Sequence, residues 1–212
     1  MKKIFSLLYL FICSVLCFSQ IHDTVSIHDV EIKDMGEYVQ IGDEHILVSD
    51  SVGNPSVPAV EVCYAVPLDA ENVTIETSII SSDTLVLTKP IYPVQPPRAH
   101  IEDSIPFFEP NSEIYESSAL YPNVDFRIKS DERIMGCRVI RVAYYPIIYN
   151  PQSQMIYNRN LNVNIGYTSA NGVYFNAPKA SENRKRIATQ FIKGLVKNKH
   201  DIERQTSSNS RA

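Results

Sequence analysis

Apolar and polar residues alternate with a period of two along several segments of the chain between residues 37 and 167. The clearest are 59–67 (AVEVCYAVP), 73–80 (VTIETSII) and 84–93 (TLVLTKPIYP). β-Branched and aromatic residues dominate them, which is typical of strands with one face in a core. The turn-prone sequence LDAEN separates the first two segments and a proline ends the third, so they predict short strands rather than helices.

The same pattern continues towards the C-terminus. Segment 124–150 predicts two strands around a turn at 130–133 (SDER), and 154–167 predicts one or two more. Segment 37–49 predicts a β-hairpin around Gly42 and Asp43. Short strands at this spacing favour an all-β fold, an antiparallel β-sandwich of Ig-like or jelly-roll-like type. Its predicted core positions are Val60, Val62, Tyr64, Ile140, Val142, Ile147 and Ile165.

The hydrophobic period changes to that of a helix after the last strand. Within 177–200, Ile187, Phe191 and Leu195 share one face, which Ile192 and Val196 widen. This indicates a basic amphipathic helix at the edge of the sandwich, with Ser181 as its N-cap. Residues 201–212 are polar and predict a disordered tail.

The N-terminus has the composition of a secretory signal peptide, residues 1–19. Two lysines precede an apolar run that is too short to span a membrane, and small residues favour cleavage between Ser19 and Gln20. A lipoprotein signal anchored at Cys17 is the alternative, which the bulky Leu16 disfavours. Residues 20–36 then form a lead-in, and no later apolar run predicts a membrane span. The expected location is the periplasm, the cell surface or the medium.

Charge and motifs narrow the function classes. The chain has 20 Lys and Arg against 24 Asp and Glu, so neither nucleic acid nor an anionic membrane is an expected partner. Its five histidines are scattered, and no HExxH, CxxC, GxSxG or phosphate-binding glycine loop occurs. The sequence therefore predicts no metal, no cofactor and no enzymatic activity of its own.

Two cysteines, Cys63 and Cys137, remain after removal of the signal peptide. In an exported protein they have the chance to form a disulfide, but each lies in an apolar strand where a buried free thiol is equally at home. Spacing alone does not decide between these alternatives. The position of Cys63 within a strand favours a structural thiol over a nucleophile.

Four tripeptides share the pattern Asp, hydroxyl residue, aliphatic residue. It resembles the O-glycosylation acceptor pattern of exported Bacteroidetes proteins. The alternative is that Asp-Ser and Asp-Thr are merely common turn pairs. The candidate acceptors are Thr24, Ser51, Thr84 and Ser104.

Three segments together resemble the prodomains of gingipain-type cysteine peptidases. Segment 53–67 has a Gly-x-Pro-x-x-Pro turn that leads into a strand, and 89–97 (KPIYPVQPP) is proline-rich. Segment 121–167 runs from Tyr-Pro through a Gly-x-Arg strand and Pro-x-x-Tyr-Asn-Pro to a closing strand. The resemblance assigns 37–176 as a propeptide-like β-sandwich.

The resemblance implies a function. Such prodomains cover the active site of a cysteine peptidase, hold the zymogen latent and assist its folding. The expected partner is therefore a peptidase catalytic domain acting in trans, since the sequence ends at Ala212 without one. Either a free-standing inhibitor-like protein or a truncated remnant of a precursor fits this arrangement. The alternative function is a non-inhibitory surface or adhesion module.

The proline-rich loop 92–110 is the candidate inhibitory loop. Pro96 and Pro97 precede Arg98, the only lysine or arginine between Lys89 and Arg127. An arginine suits the specificity pocket of an arginine-specific peptidase, and prolines lower the entropy lost on binding. The competing interpretation is a solvent-exposed connector with an incidental arginine.

Limited proteolysis is expected to reach the tail first. Basic sites from 184 to 199 lie in the predicted helix, whereas Arg204 and Arg211 lie beyond it. Because cleavage needs a locally extended backbone, the sequence predicts that an arginine-specific protease cuts after Arg204 first.

Overall fold

A computed structural model of the chain describes residues 18–42, 47–48, 51–97, 106–176 and 181–203. Within these residues the architecture is all-β with helical additions, which confirms the predicted fold class. The elements are β1 Phe18–Val25, β2 Ile32–Asp34, β3 Val39–Ile41, β4 Leu47–Val48, β5 Pro58–Val66, β6 Glu71–Val86, α1 Ser112–Tyr115, β7 Phe126–Ile134, β8 Cys137–Tyr144, β9 Ile147–Asn150, β10 Met155–Thr168 and α2 Glu182–Leu195.

Strand β10 is the centre of the first sheet. It pairs antiparallel with β6 along one edge and with both β1 and β9 along the other. The lead-in predicted for residues 20–36 therefore contains a sheet strand, because β1 pairs with β10 from Phe18↔Thr168 to Val25↔Leu161.

Strand β6 is one continuous strand of 16 residues, where two strands were predicted. The predicted segments 73–80 and 84–93 left Ser81, Ser82 and Asp83 between them, but these residues pair with Asn160, Arg159 and Asn158 of β10. A bulge at Ile80 absorbs the irregularity, since Ile79 pairs with Leu161 and Ser81 pairs with Asn160. Backbone pairing along β10 therefore outweighs the local turn propensity.

The second sheet has the strand order β4-β5-β8-β7. Its β7–β8 hairpin turns at Met135 and Gly136, with φ values of 48° and 88°, instead of at the predicted 130–133. Two successive positive φ angles are those of a type I′ turn, which suits a two-residue hairpin.

The hairpin predicted for 37–49 is wrong. Strand β3 pairs with β2, and β4 pairs with the start of β5 at Ala59 and Pro58. The apolar runs 39–41 and 47–48 were located correctly, but each has a different partner. Residues 43–46 lie outside the described residues.

The main core lies between the two sheets. Tyr64, Ile140, Val142 and Ile165 are buried in it as predicted, and Val60 and Val62 pack against it partly exposed. Tyr64 also donates a hydrogen bond of 2.8 Å to Asp23 Oδ2 of β1, which joins the sheets. The residues of β5 and β8 that were predicted to face the core are therefore confirmed.

A second cluster lies at one end of the sandwich, under the segments that lead into the proline-rich loop. It contains the predicted core residue Ile147 together with Val39, Ile41, Val57 and Ile91. Val39 and Ile41 lie on the three-residue strand β3, Ile147 lies on the four-residue strand β9, and Ile91 forms an isolated bridge. The segment that leads into the loop is therefore anchored in a packed apolar cluster.

Helix α2 docks on the outer face of the second sheet through Ile192, Leu195 and Val196 of the predicted face, but the predicted Ile187 and Phe191 do not take part. Ala188 and Ile192 are buried, whereas Ile187 and Phe191 are 51% and 49% exposed. The small Ala188 lets the helix approach Ala65, Cys137 and Val139 closely, and Leu195 and Val196 pack beside it. Ser181 precedes α2 as its N-cap residue but makes no side-chain capping hydrogen bond.

The segment after α2 covers the free edge of β5. Lys197 N donates to Cys63 O at 2.8 Å, and the Asn198 amide both accepts from Ala65 N and donates to Ala65 O. A helical turn at 199–203 then buries Ile202 completely. The prediction of a disordered tail is thus wrong for 201–203. Covering an exposed edge in this way prevents unwanted strand pairing.

Candidate functional site

The candidate inhibitory loop leaves the fold through an outgoing arm, 91–97, whose first part (91–95) is strand-like, and returns through a second arm, 106–111. On one side Tyr92 N donates to Val39 O at 2.8 Å. On the other side Val94 N donates to Asn54 O at 2.8 Å, and Gly53 N donates to Val94 O at 2.8 Å. Pro93 lies between the two donors, at a position where no N–H is required. The outgoing arm is therefore held on both sides.

Gly53 lies at a position that strongly favours glycine. Its φ is +85°, and a side chain there would begin 3.1 Å from Glu109 O on the returning arm. Gly53 O accepts from Asn111 N at 2.8 Å, while Asn111 Nδ2 donates to Asn54 Oδ1 at 3.1 Å. The Gly-x-Pro-x-x-Pro turn noticed in the sequence thus anchors both arms of the loop.

Gln95 joins the two arms directly. Its Nε2 donates to Pro93 O at 3.1 Å and to Phe108 O at 3.0 Å, and its Oε1 accepts from Phe108 N at 2.9 Å. A side-chain amide carries the same donor and acceptor pair as a peptide group. Gln95 therefore closes the base of the loop as a strand pairing would.

Three aromatic rings pack at the same level. The ring centroids of Tyr38, Tyr92 and Phe107 lie 5.8 Å apart in each of the three pairs. Edge and tilted arrangements at this distance are favourable. The neighbouring Phe108 is 46% exposed and lies at the rim of the site.

Further contacts fix the surroundings of the base. The half-buried Tyr115 donates a hydrogen bond of 2.6 Å from its hydroxyl to Ile91 O, and partial burial raises the pKa of Tyr115. Lys89 contacts both carboxylate oxygens of Asp34 at 2.8 and 2.6 Å, and this hydrogen bond lowers the pKa of Asp34. The pair ties the β2–β3 hairpin to the outgoing arm.

The predicted site residues fall partly within this geometry. Pro96 is half-buried and Pro97 is exposed at the end of the outgoing arm, whereas Arg98 lies outside the described residues. The structure thus describes the stem of the loop. The role of Arg98 stays a prediction.

The candidate glycosylation residues are dispersed. Thr24 lies on β1, Thr84 lies on β6, Ser51 precedes the Gly53 turn, and all three are exposed. Ser104 lies outside the described residues. Exposure makes a hydroxyl accessible to a transferase but does not test the modification, which stays a prediction.

The two cysteines are free thiols, so the disulfide alternative is not the state of this structure. Cys63 pairs with Arg141, four positions along β8 from Cys137, which corresponds to roughly 13 Å. A disulfide requires Cα atoms within about 7 Å. Burial raises the pKa of Cys63, and raises that of Cys137 to about 11, so both thiols are protonated at neutral pH.

Two further features bear on the sequence predictions. Among the described residues no group of three or more His, Cys, Asp or Glu side chains is placed to hold a metal. No helix in those residues is long and apolar enough to cross a membrane. Ser19 and Gln20 lie on β1 and pair with Tyr167 and Gly166 of β10. Cleavage of the signal peptide between Ser19 and Gln20 stays a prediction.

Sequence reasoning identified the loop but missed the residues that close it. Gln95, Tyr38 and Phe107 carried no recognisable motif. The available signal was a polar residue flanked by prolines on one arm and a Phe-Phe pair between prolines on the other. Such residues need non-local partners, since prolines remove the backbone donors.

The two-layer antiparallel sandwich is a fold that the chain shares with two solved chains from gingipain structures. No protein-family model and no curated protein matches the chain. Among solved structures, it is similar to a chain from the complex of Porphyromonas gingivalis RgpB pro- and mature domains. The TM-score is 0.62 at 15% identity, covering 86% of this chain and 93% of that one.

A second solved structure agrees. The chain is similar to one described in a study of the zymogenic latency of gingipain K from Porphyromonas gingivalis. The TM-score is 0.59 at 21% identity, covering 71% of this chain and 88% of that one. The predicted resemblance to gingipain prodomains is therefore confirmed at the level of the fold.

Proposed function

We propose that this protein is an exported prodomain-like inhibitor that covers the active site of a gingipain-type cysteine peptidase in trans and assists its folding. The observation that carries the proposal is the similarity of its fold to a chain of the RgpB pro- and mature-domain complex. The protein acts through binding and has no peptidase chemistry of its own.

The loop 92–110 is the part that enters the active site. Its arms are fixed by Gly53, Gln95 and the aromatic cluster, so little entropy is lost when a peptidase binds it. Arg98 follows the described outgoing arm directly and supplies the basic side chain for the specificity pocket.

An inhibition assay with the mature chain, residues 20–212, tests the proposal. Mature RgpB and mature gingipain K, the peptidases of the two structural neighbours, are used together with any cysteine peptidase recovered by the chain from its native culture supernatant. We expect inhibition of at least one. If the chain binds a peptidase without inhibiting it, or inhibits none, the function is that of a surface module instead.

The variant Arg98→Ala tests the role of the arginine. We expect inhibition to weaken about 100-fold, because a buried arginine anchor contributes most of the energy of such an interface. Arg184→Ala is the matched control, since Arg184 is exposed on α2. Equal inhibition by both variants would remove Arg98 from the mechanism.

Folding assistance and export need separate measurements. The refolding yield of the denatured peptidase should rise when the mature chain is present, and a yield that does not change would limit the function to inhibition. N-terminal sequencing of the exported protein should begin at Gln20. A lipid-modified Cys17 would indicate membrane anchoring instead.

A further inference from the structure

The two arms of the loop are poor in backbone donors at the level where they must meet. Pro93, Pro96 and Pro97 lie on the outgoing arm, and Pro106 and Pro110 lie on the returning arm. Proline has no N–H, so a regular antiparallel ladder cannot continue from 94 into the loop. Something other than backbone pairing has to hold the arms together there.

The Gln95 side chain takes that place. It bonds to both the N–H and the C=O of Phe108 across the loop, and to Pro93 O on its own arm. The preceding residue, Phe107, packs against the rings of Tyr38 and Tyr92. Two adjacent residues of the returning arm are thus fixed by two independent sets of contacts.

We propose that Gln95 is a positioning residue of the inhibitory loop. Its amide sets the spacing and direction of the two arms and orients the exposed Phe108 side chain towards the partner. The proposal rests on the proposed function, because it assigns Gln95 a role in inhibition. Inhibitory loops gain affinity from pre-organisation, since a loop held in its bound shape has less entropy to lose on binding.

The structural contribution of Gln95 should be small by comparison. Its contacts lie above the second core cluster, which contains Val39, Val57 and Ile91 and does not depend on the amide. Loss of the three hydrogen bonds should therefore loosen the loop while the sandwich remains folded. This difference separates a positioning role from a general structural one.

Two variants of the full mature chain test the proposal. Gln95→Ala removes all three hydrogen bonds, and Gln95→Glu keeps the size of the side chain but replaces the donor Nε2 by oxygen. Gln190→Ala, on the exposed surface of α2, is the matched control. Thermal unfolding, the inhibition constant and hydrogen exchange of the Phe108 amide are measured for each variant.

We expect both Gln95 variants to inhibit about 10-fold less well than the wild-type chain and to exchange the Phe108 amide correspondingly faster. Their melting temperatures should match that of the wild-type chain, and Gln190→Ala should change nothing. Gln95→Glu preserves volume but places a carboxylate beside Pro93 O and Phe108 O, whereas Gln95→Ala adds no charge. An equal loss of inhibition in both variants would therefore trace to the donated hydrogen bonds.

The outcomes separate the two proposals. If the wild-type chain inhibits and both Gln95 variants inhibit equally well, the positioning role is overturned while the proposed function stands. If inhibition falls only together with the melting temperature, Gln95 is structural and the inference is likewise overturned. If the wild-type chain inhibits no peptidase, the proposed function fails. Hydrogen exchange at the Phe108 amide is a separate test: if it is unchanged in the Gln95 variants, Gln95 does not hold the two arms together.

Discussion

Docking of the segment after α2 should control access to the nearest arginine. Ile202 is completely buried with Ile192 and Val196, and the segment before it is bonded to Ala65 through Asn198. A protease acting after Arg204 needs residues on both sides of the cleaved bond in an extended conformation. The turn at 199–203 must therefore undock first. We now expect the wild-type chain to be cut after Arg211 before Arg204.

The substitution Ile202→Ala gives this prediction a magnitude. Replacing a buried isoleucine by alanine costs 2–5 kcal/mol, depending on how well the site collapses. We take the lower part of that range, about 2.5 kcal/mol, because the flanking residues Asp201 and Glu203 are only half-buried. The undocked population should then rise about 60-fold, since 1.4 kcal/mol corresponds to a factor of ten.

Limited digestion with an arginine-specific protease, followed by mass spectrometry, measures this population. When opening and closing are fast relative to cleavage, the cleavage rate follows the open population. The rate after Arg204 should therefore increase about 60-fold in Ile202→Ala. Ile187→Ala, at a residue 51% exposed on α2, is the control and should leave the rate unchanged.

Two results would refute this reasoning. Equal rates of cleavage after Arg204 in the wild-type chain and Ile202→Ala would mean that the turn at 199–203 does not protect the bond. Rapid cleavage within 184–186 in the wild-type chain would mean that α2 itself is undocked. In that case the region beyond residue 177 would be better described as a linker.

Two further predictions concern ion pairs. Arg159 is buried and contacts Asp125 Oδ1 at 2.7 Å and Tyr145 O at 2.7 Å. Arg159→Met should therefore lower the free energy of unfolding by about 3 kcal/mol. An unchanged urea midpoint would contradict this. The Arg138 guanidinium donates a hydrogen bond to Asp131 and lowers the pKa of that carboxyl below 3.8. The pair therefore stabilises the fold above about pH 4, and this stability is lost as the pH falls through the lowered pKa. The urea midpoints of the wild-type chain and Asp131→Asn should therefore differ at neutral pH and converge in acid, and a constant difference would exclude this linkage.

Local patterns in the sequence located strands β5, β8 and β10 and helix α2. The alternation in β5, β8 and β10 was sufficient because one face of each strand lies in the core, and side-chain period follows backbone geometry. For the same reason Tyr64 and Ile140 were predicted correctly as core residues. Loop residues 92–110 were recognised because proline restricts the backbone wherever it occurs.

Pairing and docking were decided by tertiary structure. The unbroken course of β6 depends on β10, which is distant in sequence, and β3 and β4 pair with β2 and β5 instead of with each other. Local propensity for a turn is worth less than a ladder of backbone hydrogen bonds. Sequence reasoning therefore placed the polar residues Ser81 and Ser82 at a break where the strand continues.

The face of α2 shows the same limit at the level of single residues. Ile187 and Phe191 are larger apolar residues than Ala188, so hydrophobicity alone placed them on the docking face and left Ala188 out. The close-packed surface of the second sheet accepts Ala188 beside the predicted Ile192, because a small side chain allows the helix to approach. The closure of the loop by Gln95 is likewise a tertiary decision, since an amide side chain becomes a structural link only when the fold brings a distant peptide group within hydrogen-bonding distance.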